Sequence, residues 1–231
     1  MPGVKTALGK DGKRMIRGAI FDVDGTLLNS MYVWETIGER YLRSLSIEPR
    51  ENLWEIFKTF TLEQAAQYFR EQYGVPFTCE KIMQQINGMI EQLYFEEVQL
   101  RPGVPAFLQR LQTRGVPMTI ATATDRYLVQ AALKRCGVLP YFRKIITCRE
   151  AGSKTQPQIY ETARSCMNTP KQETWVFEDA LHAACTAAQA GFPVLGIRDP
   201  SEKNQQELQT VSTVYLNDFQ HAEPFWKFVS P

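Results

Sequence analysis

Ile20-Phe21-Asp22-Val23-Asp24-Gly25-Thr26-Leu27-Leu28 sets the architecture of this 231-residue chain. The apolar run Gly18-Ala19-Ile20-Phe21 reads as a short buried strand. It ends abruptly in two aspartates with one residue between them, followed by Gly-Thr. Carboxylates at the end of a buried strand are costly to desolvate unless a cation or protons compensate them. A hard cation such as Mg2+, which takes a few carboxylate oxygens together with substrate phosphate, suits such a place. Taken alone, Asp-x-Asp-Gly is equally an ordinary strand-to-turn junction, so the rest of the chain decides.

From Asn29 to Leu100 the periodicity is helical. Tyr41, Leu42 and Leu45 recur at helix spacing, as do Leu62, Ala65, Ala66 and Phe69, then Ile82, Ile86, Met89, Ile90 and Leu93. Breaks fall near Glu48-Pro49 and Gly74-Val75-Pro76. This predicts a small all-helical cap domain, residues 30–100, inserted after the first strand. Its short boundaries, Leu28-Asn29-Ser30 and Arg101-Pro102-Gly103, suit a packed cap that swings rather than a tethered separate domain. From Pro102 onward helices and strands alternate. Strands are predicted at Met118–Ala121, Lys144–Thr147, Thr174–Phe177, Phe192–Ile197 and Thr213–Tyr215. Helices are predicted at Val104–Arg114, Leu128–Cys136, Pro157–Met167 and Ala180–Ala190. Short apolar strands alternating with helices indicate an α/β class, Rossmann-like parallel sheet with helices on both faces. That core comprises residues 15–29 and 101–231.

Composition narrows the function classes. Lys plus Arg (26) balance Asp plus Glu (25), which leaves no electrostatic footprint for nucleic acid or an anionic membrane surface. No apolar run approaches the roughly 18 residues of a membrane span. The segment Met1–Arg17 has no apolar core of a secretory signal and reads as a frayed tail. Cys79, Cys136, Cys148, Cys166 and Cys185 are scattered with no C-x-x-C pair, as expected for reduced, mostly buried thiols of a cytoplasmic protein. With only His182 and His221 present, histidine-rich metal sites are excluded. A monomer or weak dimer is the expected state.

Three predicted strands end in chemically useful residues: Asp22, Thr122, and Glu178-Asp179. In an open parallel sheet, ligands sit beyond the carboxyl ends of the strands at the switch in strand order. Asp22, Asp24, Thr122 and Asp179 can therefore converge there, with Lys154 near the start of a helix. Three carboxylates, a hydroxyl and a lysine form a site for Mg2+ and a phosphoryl group.

In this order and context the residues resemble the haloacid dehalogenase superfamily of phosphotransferases, in the subfamily with a helical cap after the first strand. Asp22-Val23-Asp24-Gly25-Thr26 resembles its first motif and Thr122 in Ile120-Ala121-Thr122-Ala123-Thr124 its second. Lys154 in Lys154-Thr155-Gln156-Pro157 resembles the third, and Phe177-Glu178-Asp179 the fourth. The resemblance implies a Mg2+-dependent phosphatase that acts on a small phosphorylated metabolite. Asp22 would be the nucleophile that forms an aspartyl-phosphate, and Asp24 the general acid and then base. Asp22, the main-chain carbonyl of Asp24, and Asp179 would hold Mg2+, with Glu178 orienting from behind. Thr122 would hydrogen-bond a phosphoryl oxygen, helped by Lys154 and by backbone N–H groups near Ala123 and Gly25.

The β-phosphoglucomutase branch shares this layout but carries a histidine twelve residues after the nucleophile, where this chain has Trp34. The hydrolase reading therefore leads, with a phosphosugar mutase second and a non-catalytic phosphate-binding module third. Substrate choice would come from the cap, with Trp34 the leading candidate beside Tyr32, Arg40, Arg43, Lys58 and Arg70.

Overall fold

The computed structural model of the chain describes residues 12–51, 53–57 and 60–230. The chain divides into two compact units, with boundaries between Asn29 and Ser30 and between Val98 and Gln99.

The outer-sequence unit begins with β1 (Arg14–Met15) and β2 (Gly18–Phe21), then β3 (Leu28–Asn29). After the insert come β4 (Gln99–Leu100), α5 (Val104–Thr113), β5 (Met118–Thr122), α6 (Arg126–Arg135), β6 (Phe142–Thr147), α7 (Cys148–Ala151) and α8 (Gln158–Ser165). The unit closes with β7 (Thr174–Glu178), α9 (Leu181–Gln189), β8 (Val194–Ile197), α10 (Gln205–Val211), β9 (Val214–Leu216), α11 (Glu223–Phe228) and β10 (Val229–Ser230). Six strands form one sheet in the order β6-β5-β2-β7-β8-β9, and every neighbouring pair is parallel. The predicted α/β sheet is thus present. From β2 the chain adds β5 and β6 on one side, then crosses back to place β7 on the other. The switch in strand order therefore lies at β2.

The pleat sorts the central strands into two faces. Ile20 and Val176, with Ala121, join a core against α8 and α9 that includes Ile159, Tyr160 and Ala184. Phe21 and Phe177 point the other way and stack at 4.2 Å between ring centroids. Phe107 of α5 meets both rings edge-on, Phe225 of α11 meets Phe177 edge-on, and Phe107 and Phe225 lie tilted against each other. Burial on both faces explains why these strands read as unbroken apolar runs rather than alternating ones.

Residues 14–17 are not a frayed tail. Arg14–Met15 pair in parallel with Val229–Ser230, Ile16 N–H donates to Ser230 O at 2.9 Å, and the Trp175 indole N–H donates to Met15 O at 3.1 Å. Two residues carry too little periodicity to read as a strand, and their partner lies at the far end of the chain. Residues 1–11 lie outside the described residues. The five cysteines are free and half-buried, not mostly buried.

The unit Ser30–Val98 is built from α1 (Met31–Ser44), α2 (Leu53–Phe57), α3 (Leu62–Tyr73) and α4 (Cys79–Gln92), followed by a π-helical turn at Leu93–Glu97. Thr61 and Thr78 cap α3 and α4 by accepting the backbone N–H of Gln64 and Lys81. Gly74, at φ 64°, takes the left-handed position that ends α3. Tyr41, Phe57 and Phe69 pack as its aromatic centre. Among the described residues, no helix is long and apolar enough to cross a membrane.

Candidate active site

The register of β2 with its neighbours brings three strand ends level. Phe21 stands opposite Phe177 on β7 and Ile120 on β5, and Asp22 N–H continues the ladder to Phe177 O at 3.0 Å. Asp22, Thr122 and Glu178-Asp179 therefore emerge at one edge, and all are buried. Carboxylate oxygens of Asp22, Glu178 and Asp179 lie within 4.8 Å of one another. Asp24 is not in this carboxylate group.

Lys154 lies in the turn between α7 and α8 and is 7% exposed. Its ammonium donates to Asp22 Oδ1 and to Glu178 Oε1 at 2.7 Å. Burial opposes its charge, but the Asp22 and Glu178 carboxylates outweigh that and hold it protonated well above the ordinary lysine range. Burial pushes the Glu178 carboxyl up to about 7 despite Lys154, with Asp22 adding repulsion. Asp179 is raised well above the usual range by burial, then by Asp22 and Glu178. Three buried carboxyls share one lysine, and Glu178 Oε2 has no hydrogen-bond partner among the described residues. This donor set is short of positive charge and has oxygen atoms to spare, so it fits a hard divalent cation.

Asp24 turns toward the second strand end, where its Oδ2 accepts a hydrogen bond from Thr124 Oγ1 at 2.6 Å. Thr122 Oγ1 accepts the Thr124 N–H at 3.0 Å. That bond uses the hydroxyl as an acceptor, so its proton stays available for donation. Ala123, between the two threonines, is exposed at this bend.

Gly25 contributes differently from the expectation. Its N–H donates to Leu28 O at 2.9 Å and closes the turn after β2, so it is not aimed at a phosphoryl oxygen. The glycine supplies room instead. Its φ is 83°, and a Cβ there would stand 2.2 Å from Asp179 Oδ2. Thr26 then donates to Asp179 Oδ1 at 3.0 Å.

Two contributors were invisible as functional residues in the sequence. Tyr160 looks like one more apolar position of α8, yet its hydroxyl donates to Glu178 Oε1 at 2.9 Å. Thr124 sits two residues beyond the strand-end Thr122, but only the turn geometry assigns it to Asp24.

Trp34 lies on α1 of the other unit, where its indole N–H donates to the Tyr94 hydroxyl at 3.1 Å. The arginines proposed beside it engage their own surroundings. Arg40 bonds Thr36 at 3.0 Å and lies over the Tyr32 ring, Arg43 bonds Glu39 at 3.1 Å, and Arg70 reaches Cys79 Sγ. Lys58 lies outside the described residues.

The model of the haloacid dehalogenase-like hydrolase family matches residues 19–197. Among curated proteins, the chain is similar to validoxylamine A 7'-phosphate phosphatase of Streptomyces hygroscopicus subsp. limoneus, 24% identical over 220 residues that cover 94% of this chain and 100% of that one. It is likewise similar to hexitol phosphatase A of Escherichia coli (strain K12), 25% identical over 187 residues, covering 80% and 85%. Among solved structures, CbbY from Rhodobacter sphaeroides in complex with phosphate shares the fold. The TM-score is 0.72 at 23% identity, with 90% of this chain and 96% of that chain covered.

Proposed function

Since the chain belongs to the haloacid dehalogenase-like hydrolase family, we propose that it is a Mg2+-dependent phosphatase that hydrolyses a small phosphate monoester through an aspartyl-phosphate on Asp22. One observation carries the proposal: a buried lysine bridges Asp22 and Glu178 beside Asp179, while the second aspartate of the loop is held apart by Thr124. Two aspartates two residues apart thus occupy different environments, as a nucleophile and a general acid require. The phosphatases named among its relatives support the same reaction class.

In this reading an Asp22 carboxylate oxygen attacks phosphorus, and the phosphorus–oxygen bond to the leaving alcohol breaks. Asp24 delivers a proton to that alcohol. Asp24 then takes a proton from the water that attacks the phosphoryl group, and the Asp22 carboxylate is released with inorganic phosphate. Lys154 and the Thr122 hydroxyl neutralise and orient the phosphoryl oxygens during both steps. Asp22, the Asp24 carbonyl and Asp179 would hold Mg2+, with Glu178 orienting the set. Bound there, the cation would supply the charge neutralisation that lets an anion approach a phosphate dianion.

A phosphosugar mutase is the second reading on the same fold. Trp34 speaks against it, because the indole cannot relay a proton and the insert contains no histidine. The test is Mg2+-dependent phosphate release from p-nitrophenyl phosphate and a panel of sugar phosphates, with Asp22→Asn alongside. Turnover by the wild type, lost with EDTA and in the variant, is the expected result. A wild type inert on every ester refutes the phosphatase assignment.

A further inference from the structure

Where the chain re-enters the core, a buried guanidinium grips the catalytic loop. Arg101 follows β4, and its backbone N–H donates to Leu27 O at 2.9 Å. Its Nη1 donates to Gly25 O at 2.5 Å and to Asp199 Oδ2 at 2.6 Å. Its Nη2 donates to Arg198 O at 2.5 Å. The Arg101 side chain is 10% exposed and that of Asp199 5%. Asp199, just beyond β8, is itself fixed, with its Oδ1 accepting Ser201 N–H at 2.9 Å and the Ser201 hydroxyl at 2.7 Å.

Only one of the three acceptors is a carboxylate, so charge pairing alone does not account for the arrangement. Two main-chain carbonyls from separate loops meet one planar fork, which a lysine's point charge cannot match. The Gly25 carbonyl belongs to the peptide that joins the two halves of the site. Asp24 precedes it, and Thr26, bonded to Asp179 Oδ1, follows it. The Gly25 Cα also rests against the Asp179 carboxylate.

We propose that Arg101 is a positioning residue for phosphoryl transfer: by fixing the Gly25 carbonyl it sets Asp24 and the Thr26–Asp179 pair at once, with Asp199 as its anchor. The proposal rests on the roles given above to Asp24 and Asp179. It makes no contact with substrate its premise, so it predicts loss in turnover and in metal affinity, not in substrate affinity.

The test compares wild type with Arg101→Ala, Arg101→Lys and Asp199→Asn. The measurements are kcat and KM on p-nitrophenyl phosphate, calorimetric Mg2+ titration without substrate, and hydrogen exchange across residues 22–30. Arg101→Lys should lose about 10- to 100-fold in kcat and about tenfold in Mg2+ affinity. KM should stay within about threefold, and exchange in the loop should accelerate. Asp199→Asn, which leaves both carbonyls with their donor, should lose less than Arg101→Lys.

The proposal is overturned if Arg101→Lys lowers only the melting temperature, if KM rises alone, or if Asp199→Asn is the worse variant. Should Arg101→Ala fail to fold, the two conservative variants still decide. Should the wild type turn over no ester, the phosphatase reading fails, and the calorimetry and hydrogen exchange decide the positioning role by themselves.

Discussion

Glu178→Gln, followed across pH in EDTA, tests the electrostatics of the site most directly. Glu178 is 1% exposed, and burial raises its carboxyl from an ordinary 4.5 to about 7 in spite of Lys154. Between those values the folded protein keeps a proton that the unfolded chain has released. Unfolding free energy therefore falls as pH rises through that window. At about 1.4 kcal/mol for each tenfold change in proton affinity, the contribution of this one group is about 3 kcal/mol. For a chain of this size that corresponds to roughly 6–12 °C in melting temperature. The assay is thermal or urea unfolding of metal-stripped wild type and Glu178→Gln at pH 5, 6, 7 and 8. The stability difference, wild type minus variant, should decline by about that amount from pH 5 to pH 8. Subtraction removes groups such as His182, whose imidazole is lowered by burial and by Lys154 and so titrates with the opposite sign. Adding Mg2+ should stabilise the wild type more at pH 8 than at pH 5, since Asp179, raised well above the usual range by burial and its carboxylate neighbours, must lose its proton to ligate the cation. A difference that is flat or rises with pH refutes the picture of an undercompensated buried carboxyl.

Three further outcomes follow from the geometry. Thr124→Val removes the donor to Asp24 Oδ2; kcat should fall roughly 10- to 100-fold on an alkyl phosphate, and less on p-nitrophenyl phosphate, whose leaving group needs no proton. Tyr160→Phe removes a buried donor to Glu178 and should cost about 1–3 kcal/mol in denaturant unfolding; an unchanged midpoint would show that the hydroxyl is dispensable. Gly25→Ala places a Cβ 2.2 Å from Asp179 Oδ2 at a φ of 83°; it should abolish calorimetric Mg2+ binding together with turnover, and a variant that binds the metal normally would count against Asp179 as a ligand.

Much of this molecule was legible in one dimension because parallel strands buried on both faces need continuous apolar runs. Ala19-Ile20-Phe21, Ile120-Ala121 and Val176-Phe177 announce themselves, and each run ends where Asp22, Thr122 or Glu178 begins. A sheet whose strand ends align brings such residues together, so their types and places in the chain already imply a phosphate and cation site. The strands Arg14–Met15 and Val229–Ser230 escaped that logic, since their pairing spans nearly the whole chain and neither carries a local pattern.

The supporting contacts escaped it for a second reason. Arg101, Asp199, Thr124 and Tyr160 are ordinary residues in a boundary, a loop, a turn and a helix core. Only a hydrogen bond that Arg101, Thr124 or Tyr160 donates, or that Asp199 accepts, gives each a part in the site. Gly25 shows the same division, because sequence marks the turn, whereas the packing of Asp179 against its Cα decides that no side chain fits there. Periodicity and residue type encode which faces are buried and which strand ends are polar. Hydrogen-bond directions between segments distant in sequence depend on crossover geometry and side-chain rotamers, and these are fixed only when the sheet closes.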